Sequence, residues 1–177
     1  MRLDDLNALE AAAAARELRR CCGSSRWAER MAAARPFAGA DAILAVADRV
    51  WWSLDAADWL EAFAAHPTIG SDRSREAGRS DGPDRDWAAE EQAGVADAGL
   101  DLRERLAQRN REYQARFGYI FIVCATGRSA AEMLGLLEAR LTHDPEMELR
   151  IAADEQRKIT RLRLEKLLAA AQDTPTS

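Results

Sequence analysis

His66 closes the stretch DAADWLEAFAAHPTIG, Asp55 to Gly70, and its setting is what could make a proton carrier of it. Asp55 is a good helix cap, while Trp59, Leu60 and Phe63 give the short helix an apolar side. Pro67 disfavours helical geometry in the residue before it, so the ring sits at or just beyond a helix end. The carboxyl end of a helix carries partial negative charge, and histidine titrates near neutrality. An acid/base role is open to such a residue, and so is simple capping. Partners decide between them.

The long C-terminal helix offers one. With residues at about 100° intervals, Leu149, Ala152, Ile159, Leu162 and Leu167 form an apolar face, and Arg163 falls near its middle. Lys158 and Arg161 fall on the opposite side. A guanidinium on a buried face is costly unless it meets a carboxylate or an anionic ligand, so Arg163 is a candidate anion receptor. An internal ion pair, or a head group that reaches water, would also account for it.

Glu91 lies one turn from Trp87, Ala88 and Val95, and Gln92 follows it. They are candidates to face a ligand, though glutamate and glutamine on an alanine-rich helix mostly face solvent. His143, just before Asp144-Pro145, suits a capping role. His66 has no second histidine or cysteine at ligand spacing, so no metal site is expected. There is no nucleophile elbow and no phosphate loop.

The elements that must hold these residues are helices. The 177-residue chain is 47% hydrophobic and 31% charged, with alanine-rich runs and only five prolines. That composition points to an all-α, single-domain, multi-helix bundle over 1–171, followed by a polar tail at 172–177. Net charge is −5 and pI about 5.2, which argues against nucleic acid or an acidic membrane surface as partner. Cys21, Cys22 and Cys124 form no C-x-x-C pair and read as reduced thiols of a cytoplasmic protein. No secretory leader and no bilayer-spanning stretch is expected.

In order, the periodicity predicts a helix from about Leu6 to Cys22, stopped by Gly23. A second, capped by Ser24 or Ser25, ends before Arg35-Pro36. A third runs over 40–52 with Ile43, Val46, Ala47 and Val50 on one side. Trp27, Trp51, Trp52 and Trp59 are assigned to the core. Ser71 to Arg85 reads as an exposed loop, either a linker or a lid beside His66. Helix is expected from Asp86 to Ala98, then from Leu100 to Phe117 with Leu102, Leu106, Asn110 and Tyr113, ended by Gly118. A capping box at Ser129 to Glu132 starts a helix to about Leu141, and Asp144-Pro145 starts the last, to about Ala171.

YIFIVC, Tyr119 to Cys124, is the exception, with strand-like content and no second strand to pair with. An extended buried segment near 117–124 is therefore expected, and its N–H groups need partners other than a sheet. A ligand could be one.

CCGSSRW (Cys21 to Trp27), RPF (Arg35 to Phe37), HPTIG (His66 to Gly70), EQAG (Glu91 to Gly94), RFGYIFIVCATG (Arg116 to Gly127) and KITRLRL (Lys158 to Leu164) stand in order along the chain. In these elements and their spacing the sequence resembles the 2-oxo-4-hydroxy-4-carboxy-5-ureidoimidazoline (OHCU) decarboxylases of urate degradation, over nearly its whole length. The resemblance implies an all-helical enzyme, usually a homodimer, that converts OHCU to (S)-allantoin with no metal or organic cofactor. It implies His66 as catalytic acid/base, with Glu91 and Gln92 on the substrate and Arg163 as its anchor. Pro67, Trp87 and the stretch Phe117, Tyr119, Ile120, Phe121 and Ile122 would complete the site, the last through backbone amides.

Two positions depart from the family pattern. Ala88 stands where members commonly carry a serine three residues before the glutamate, which removes one hydroxyl worth about 1 kcal/mol of substrate hydrogen bonding. Thr68 stands where many members have a basic residue. A helical protein that keeps the fold and binds a ureide without turning it over is the rival class.

Overall fold

The computed structural model describes residues 1–67 and 99–169, and every regular element among them is helical. Expectations for Thr68, the Ser71 to Arg85 loop, the helix carrying Trp87, Ala88, Glu91 and Gln92, and the tail lie outside the described residues. The described helices are α1 (Leu3–Ala8), α2 (Ala11–Arg19), α3 (Ser25–Ala33), α4 (Ala40–Trp52), α5 (Ala56–Ala64), α6 (Leu100–Phe117), α7 (Ala130–Arg140) and α8 (Pro145–Ala169). The chain divides into two compact units, Met1–Ala62 with Arg157–Ser177, and Phe63–Gln156.

In the first unit the helix starts are chemical. Ser24 Oγ accepts the Trp27 N–H at 3.2 Å, and Asp55 Oδ1 accepts those of Ala57 and Asp58 at 3.0 and 3.2 Å. The stretch expected as one helix from Leu6 is broken into α1 and α2, because Leu9 and Glu10 are extended. The cause lies well downstream. Arg35 Nη1 donates to the carbonyls of Leu6 and Leu9 at 2.7 and 2.6 Å, satisfying groups that a continuous helix would have used internally. Asn7 clamps the backbone of Phe37 from both sides, at 2.9 Å each way. The Arg35-Pro36-Phe37 element is thus structural.

Trp27 and Trp51 are fully buried, and the Trp27 indole N–H donates to the Ala47 carbonyl at 3.3 Å. The buried side of α4 is Ile43, Leu44, Ala47 and Trp51, with Val46 and Val50 only half-buried. Since Trp51 continues the inward row from Ala47, Trp52, one residue on, turns outward and is 46% exposed rather than core. Its ring meets half-buried Trp59 edge-on at 5.8 Å. Leu60 is likewise 40% exposed, because α5 points Asp58, Ala62 and Phe63 inward instead.

The second unit packs α6 and α7 around Leu106, Tyr113, Phe121, Val123, Met133, Leu134 and Leu137. Gly118, at φ 82°, closes α6 in the left-handed conformation and returns its N–H to Gln114 at 2.9 Å. Ser129 and Glu132 form the expected capping box, and Asp144 Oδ1 accepts the Glu146 N–H at 2.9 Å to start α8. Between α6 and α7, Tyr119 to Cys124 is neither helix nor strand, and Phe121, Ile122 and Val123 are buried.

All three cysteines are free thiols. Burial pushes the Cys22 thiol up from its ordinary 9.0 to about 11. A pKa raised by folding contributes stability that is complete below the unfolded value and is lost as pH climbs through the folded one. Between pH 8 and pH 10.5, urea melts of the wild type should therefore lose about 2 kcal/mol more than those of Cys22→Ala. Parallel losses in the two proteins would show that Cys22 does not ionise on unfolding.

Candidate functional site

α5 ends at Ala64, and His66 follows just past the helix, half-buried, its N–H donating to the Phe63 carbonyl at 3.1 Å. This is the helix-end position that Pro67 implies. Phe63 is fully buried and its ring lies 5.4 Å from that of Tyr119, so the helix terminus carrying His66 is tied to the start of the extended segment. Tyr119 in turn touches Phe117 at 6.2 Å and Tyr113 at 5.8 Å. His66, Pro67, Phe117 and Tyr119 to Ile122 therefore belong to one unit, in which Phe63, Tyr113, Phe117 and Tyr119 form an aromatic cluster.

The backbone of the segment is satisfied selectively. Ile122 C=O accepts from Arg140 Nη1 at 2.8 Å, the Cys124 N–H donates to Glu155 Oε2 at 2.7 Å, and Cys124 C=O accepts from Arg128 Nε at 3.1 Å. Among the described residues, the N–H groups of Ile120, Phe121, Ile122 and Val123 meet no acceptor. A peptide unit is planar and trans, so its C=O and the next N–H point opposite ways. Fixing Ile122 C=O on Arg140 directs the Val123 N–H away from α7 and α8, and fixing the Cys124 N–H on Glu155 does the same for Val123 C=O.

Arg140 owes its place to Glu148, which is fully buried in the first turns of α8. Arg140 Nε donates to Glu148 Oε1 at 2.7 Å, the Tyr113 hydroxyl donates to the same oxygen, and His143 Nδ1 lies 2.7 Å from Oε2. Burial raises the Tyr113 pKa far above the ordinary phenol range, so the hydroxyl keeps the proton it donates. His143, read from sequence as a cap, is a ligand of this carboxylate. Sequence spacing hid the cluster, since His143 suited a cap and nothing in the pattern marked Arg140 or Glu148; a tyrosine at an inward position of α6 was the one available hint.

Arg163 lies in the first unit, on α8, and is 8% exposed, with Ile159, Thr160, Leu164 and Leu167 buried around it on the helix. The helical phase located it, although Leu149 and Leu162 prove only half-buried and Arg161 binds Asp48 at 3.0 Å together with Arg157 at 3.2 Å. Its positive charge is felt at the buried Cys22 thiol. Trp87, Glu91 and Gln92 lie outside the described residues. Among the described residues no three His, Cys, Asp or Glu side chains come together as metal ligands, and no helix is long and apolar enough to cross a membrane.

The relatives of this chain point one way. The uric acid degradation bifunctional protein TTL of Arabidopsis thaliana is 42% identical over 150 residues, 84% of this chain and 45% of that protein. The 2-oxo-4-hydroxy-4-carboxy-5-ureidoimidazoline decarboxylase of Mus musculus is 43% identical over 79 residues, 45% of this chain and 44% of that protein. The chain thus spans less than half the length of these curated relatives. A crystal structure of OHCU decarboxylase in the presence of (S)-allantoin matches with a TM-score of 0.74 and 38% identity, over 86% of this chain and 97% of that one. A crystal structure of (S)-allantoin synthase, 19% identical, shares the fold at a TM-score of 0.68, over 95% of this chain and 54% of that one. With the family model for OHCU decarboxylase matching from residue 7 to residue 165, the chain belongs to the OHCU decarboxylase family.

Proposed function

We propose that the protein decarboxylates 2-oxo-4-hydroxy-4-carboxy-5-ureidoimidazoline to (S)-allantoin, as a cytoplasmic carboxy-lyase of urate degradation that works as a homodimer. The observation that carries this reading is the family match over residues 7–165, supported by His66 just past a helix whose Phe63 packs on Tyr119, and by the N–H groups of residues 120–123, which face no acceptor among the described residues. Residues 1–171 serve as one functional domain.

The substrate can supply its own electron sink. The carbon that carries the carboxylate also carries a hydroxyl and adjoins a C=N bond. When the bond to the carboxylate breaks, CO₂ leaves and the electron pair flows into the C=N bond, whose nitrogen takes up a proton. An enol-like intermediate results. Loss of the hydroxyl proton and protonation of the neighbouring carbon then give the carbonyl and the new stereocentre. His66, oriented by Glu91, moves these protons, and delivery from one face sets the S configuration. Arg163 holds the anionic or carbonyl edge, and Gln92 and the backbone of the Phe117 to Ile122 stretch hold the ring and ureido group. Trp87, Phe117 and Ile122 are its apolar walls, with Pro67 fixing the turn beside the histidine.

The test is circular dichroism of a mixture containing urate oxidase and hydroxyisourate hydrolase, in which optically active allantoin appears faster when this protein is added. A ureide-binding protein would give no acceleration at any concentration. His66→Asn should lower kcat by at least about 100-fold with an unchanged melting temperature. Turnover at the wild-type rate would remove His66 from the chemistry. Arg163→Lys keeps the charge but not the planar fork, and should lower kcat/KM about 10- to 100-fold, mainly through KM.

A further inference from the structure

Resting on this reading, we infer that Arg140, Glu148 and Glu155 are positioning residues: they take the place of a neighbouring strand and aim the backbone of the extended segment at the substrate. Glu148 and Glu155 are seven residues apart on α8, two helical turns, so both carboxylates lie on one face about 10 Å apart. Both are buried. Ile122 and Cys124, two residues apart in extended chain, span about 7 Å. Glu155 reaches Cys124 directly, and the Arg140 guanidinium makes up the remaining distance between Glu148 and Ile122.

Stability alone does not account for charge here. Buried ion pairs can often be replaced by apolar residues without loss, so what this one contributes is direction. Arg140 is held on all sides, with Glu148 at its Nε, Ile122 C=O at Nη1 and the ring of Phe121 4.6 Å from its guanidinium carbon. An apolar filler would leave the peptide planes on either side of Val123 free to rotate. The two hydrogen bonds fix both planes, and so anchor the downstream end of the Phe117 to Ile122 stretch that holds the substrate. None of the three side chains needs to touch substrate.

The experiment compares wild type, Glu155→Gln and Glu155→Met in the coupled allantoin assay, with amide hydrogen exchange of 119–125 read on the same samples. The glutamine oxygen can still accept the Cys124 N–H, and methionine fills a similar volume without accepting it. Glu155→Met should raise KM at least fivefold with kcat within about twofold, and Glu155→Gln should restore it, since backbone donors that hold substrate and transition state alike act on KM. Exchange at the Cys124 amide, which loses its acceptor, should quicken in the methionine variant only. Arg140→Lys, which cannot fork between Glu148 and Ile122, carries the same expectation should Glu155→Met fail to fold. An unchanged KM, or a loss that glutamine does not restore, overturns the positioning role. If the wild type itself makes no allantoin, the decarboxylase reading falls and the exchange data decide: quickening in the methionine variant upholds control of the backbone, and equal rates overturn it.

Discussion

A β-like stretch buried among helices has no neighbouring strand to bond to, and in this protein the side chains of Arg140, Glu155 and Arg128 take three of its backbone groups. Glu148 is the root of it. Fully buried, its carboxyl group is met by Arg140, the Tyr113 hydroxyl and His143, and through Arg140 it reaches the Ile122 carbonyl. α6, α7 and α8 each contribute a residue to this knot, so their packing and the path of the segment between them are one problem with one solution.

That arrangement explains how a helical fold can present main-chain donors, something a helix interior cannot do because its N–H groups are already used. The segment enters from the left-handed Gly118 and leaves at the turn before Ser129, so it is bracketed by two helix boundaries that are themselves strongly specified. On one side it meets α5, whose Phe63 packs on Tyr119 and whose terminus carries His66. Rigid elements on both sides hold a non-regular stretch in place without a sheet.

Much of this was legible in the sequence where the cause was local. Asp55, Ser24, Ser129 with Glu132, Asp144 and Gly118 mark helix ends within a few residues of themselves, and each does so in the structure. Arg163 was found by phase because α8 is long enough for its period to speak. The failures have distant causes. The break between α1 and α2 depends on Arg35, 26 residues beyond Leu9, and no local pattern announces a guanidinium arriving from there. Trp52 was assigned inward on hydrophobicity, but a helix offers each side only so many places and Trp51 had taken it. The Glu148 cluster was invisible for the same reason: charges at helix ends look solvated until their partners are known. Glu91, Gln92 and Trp87 lie outside the described residues and rest on spacing and the family likeness.

A binding edge made of main chain has an unusual relation to sequence change. On the proposed function, Ile120 and Ile122 can drift among apolar residues without altering the donors they offer the substrate, because every residue but proline carries the same N–H. Constraint then moves to the positions proposed to hold that backbone, Arg140 at the end of α7 and the two carboxylates on α8. In such a protein selection on the substrate would be written in the helices behind the site, and substitutions that look remote from the chemistry would be the ones least tolerated.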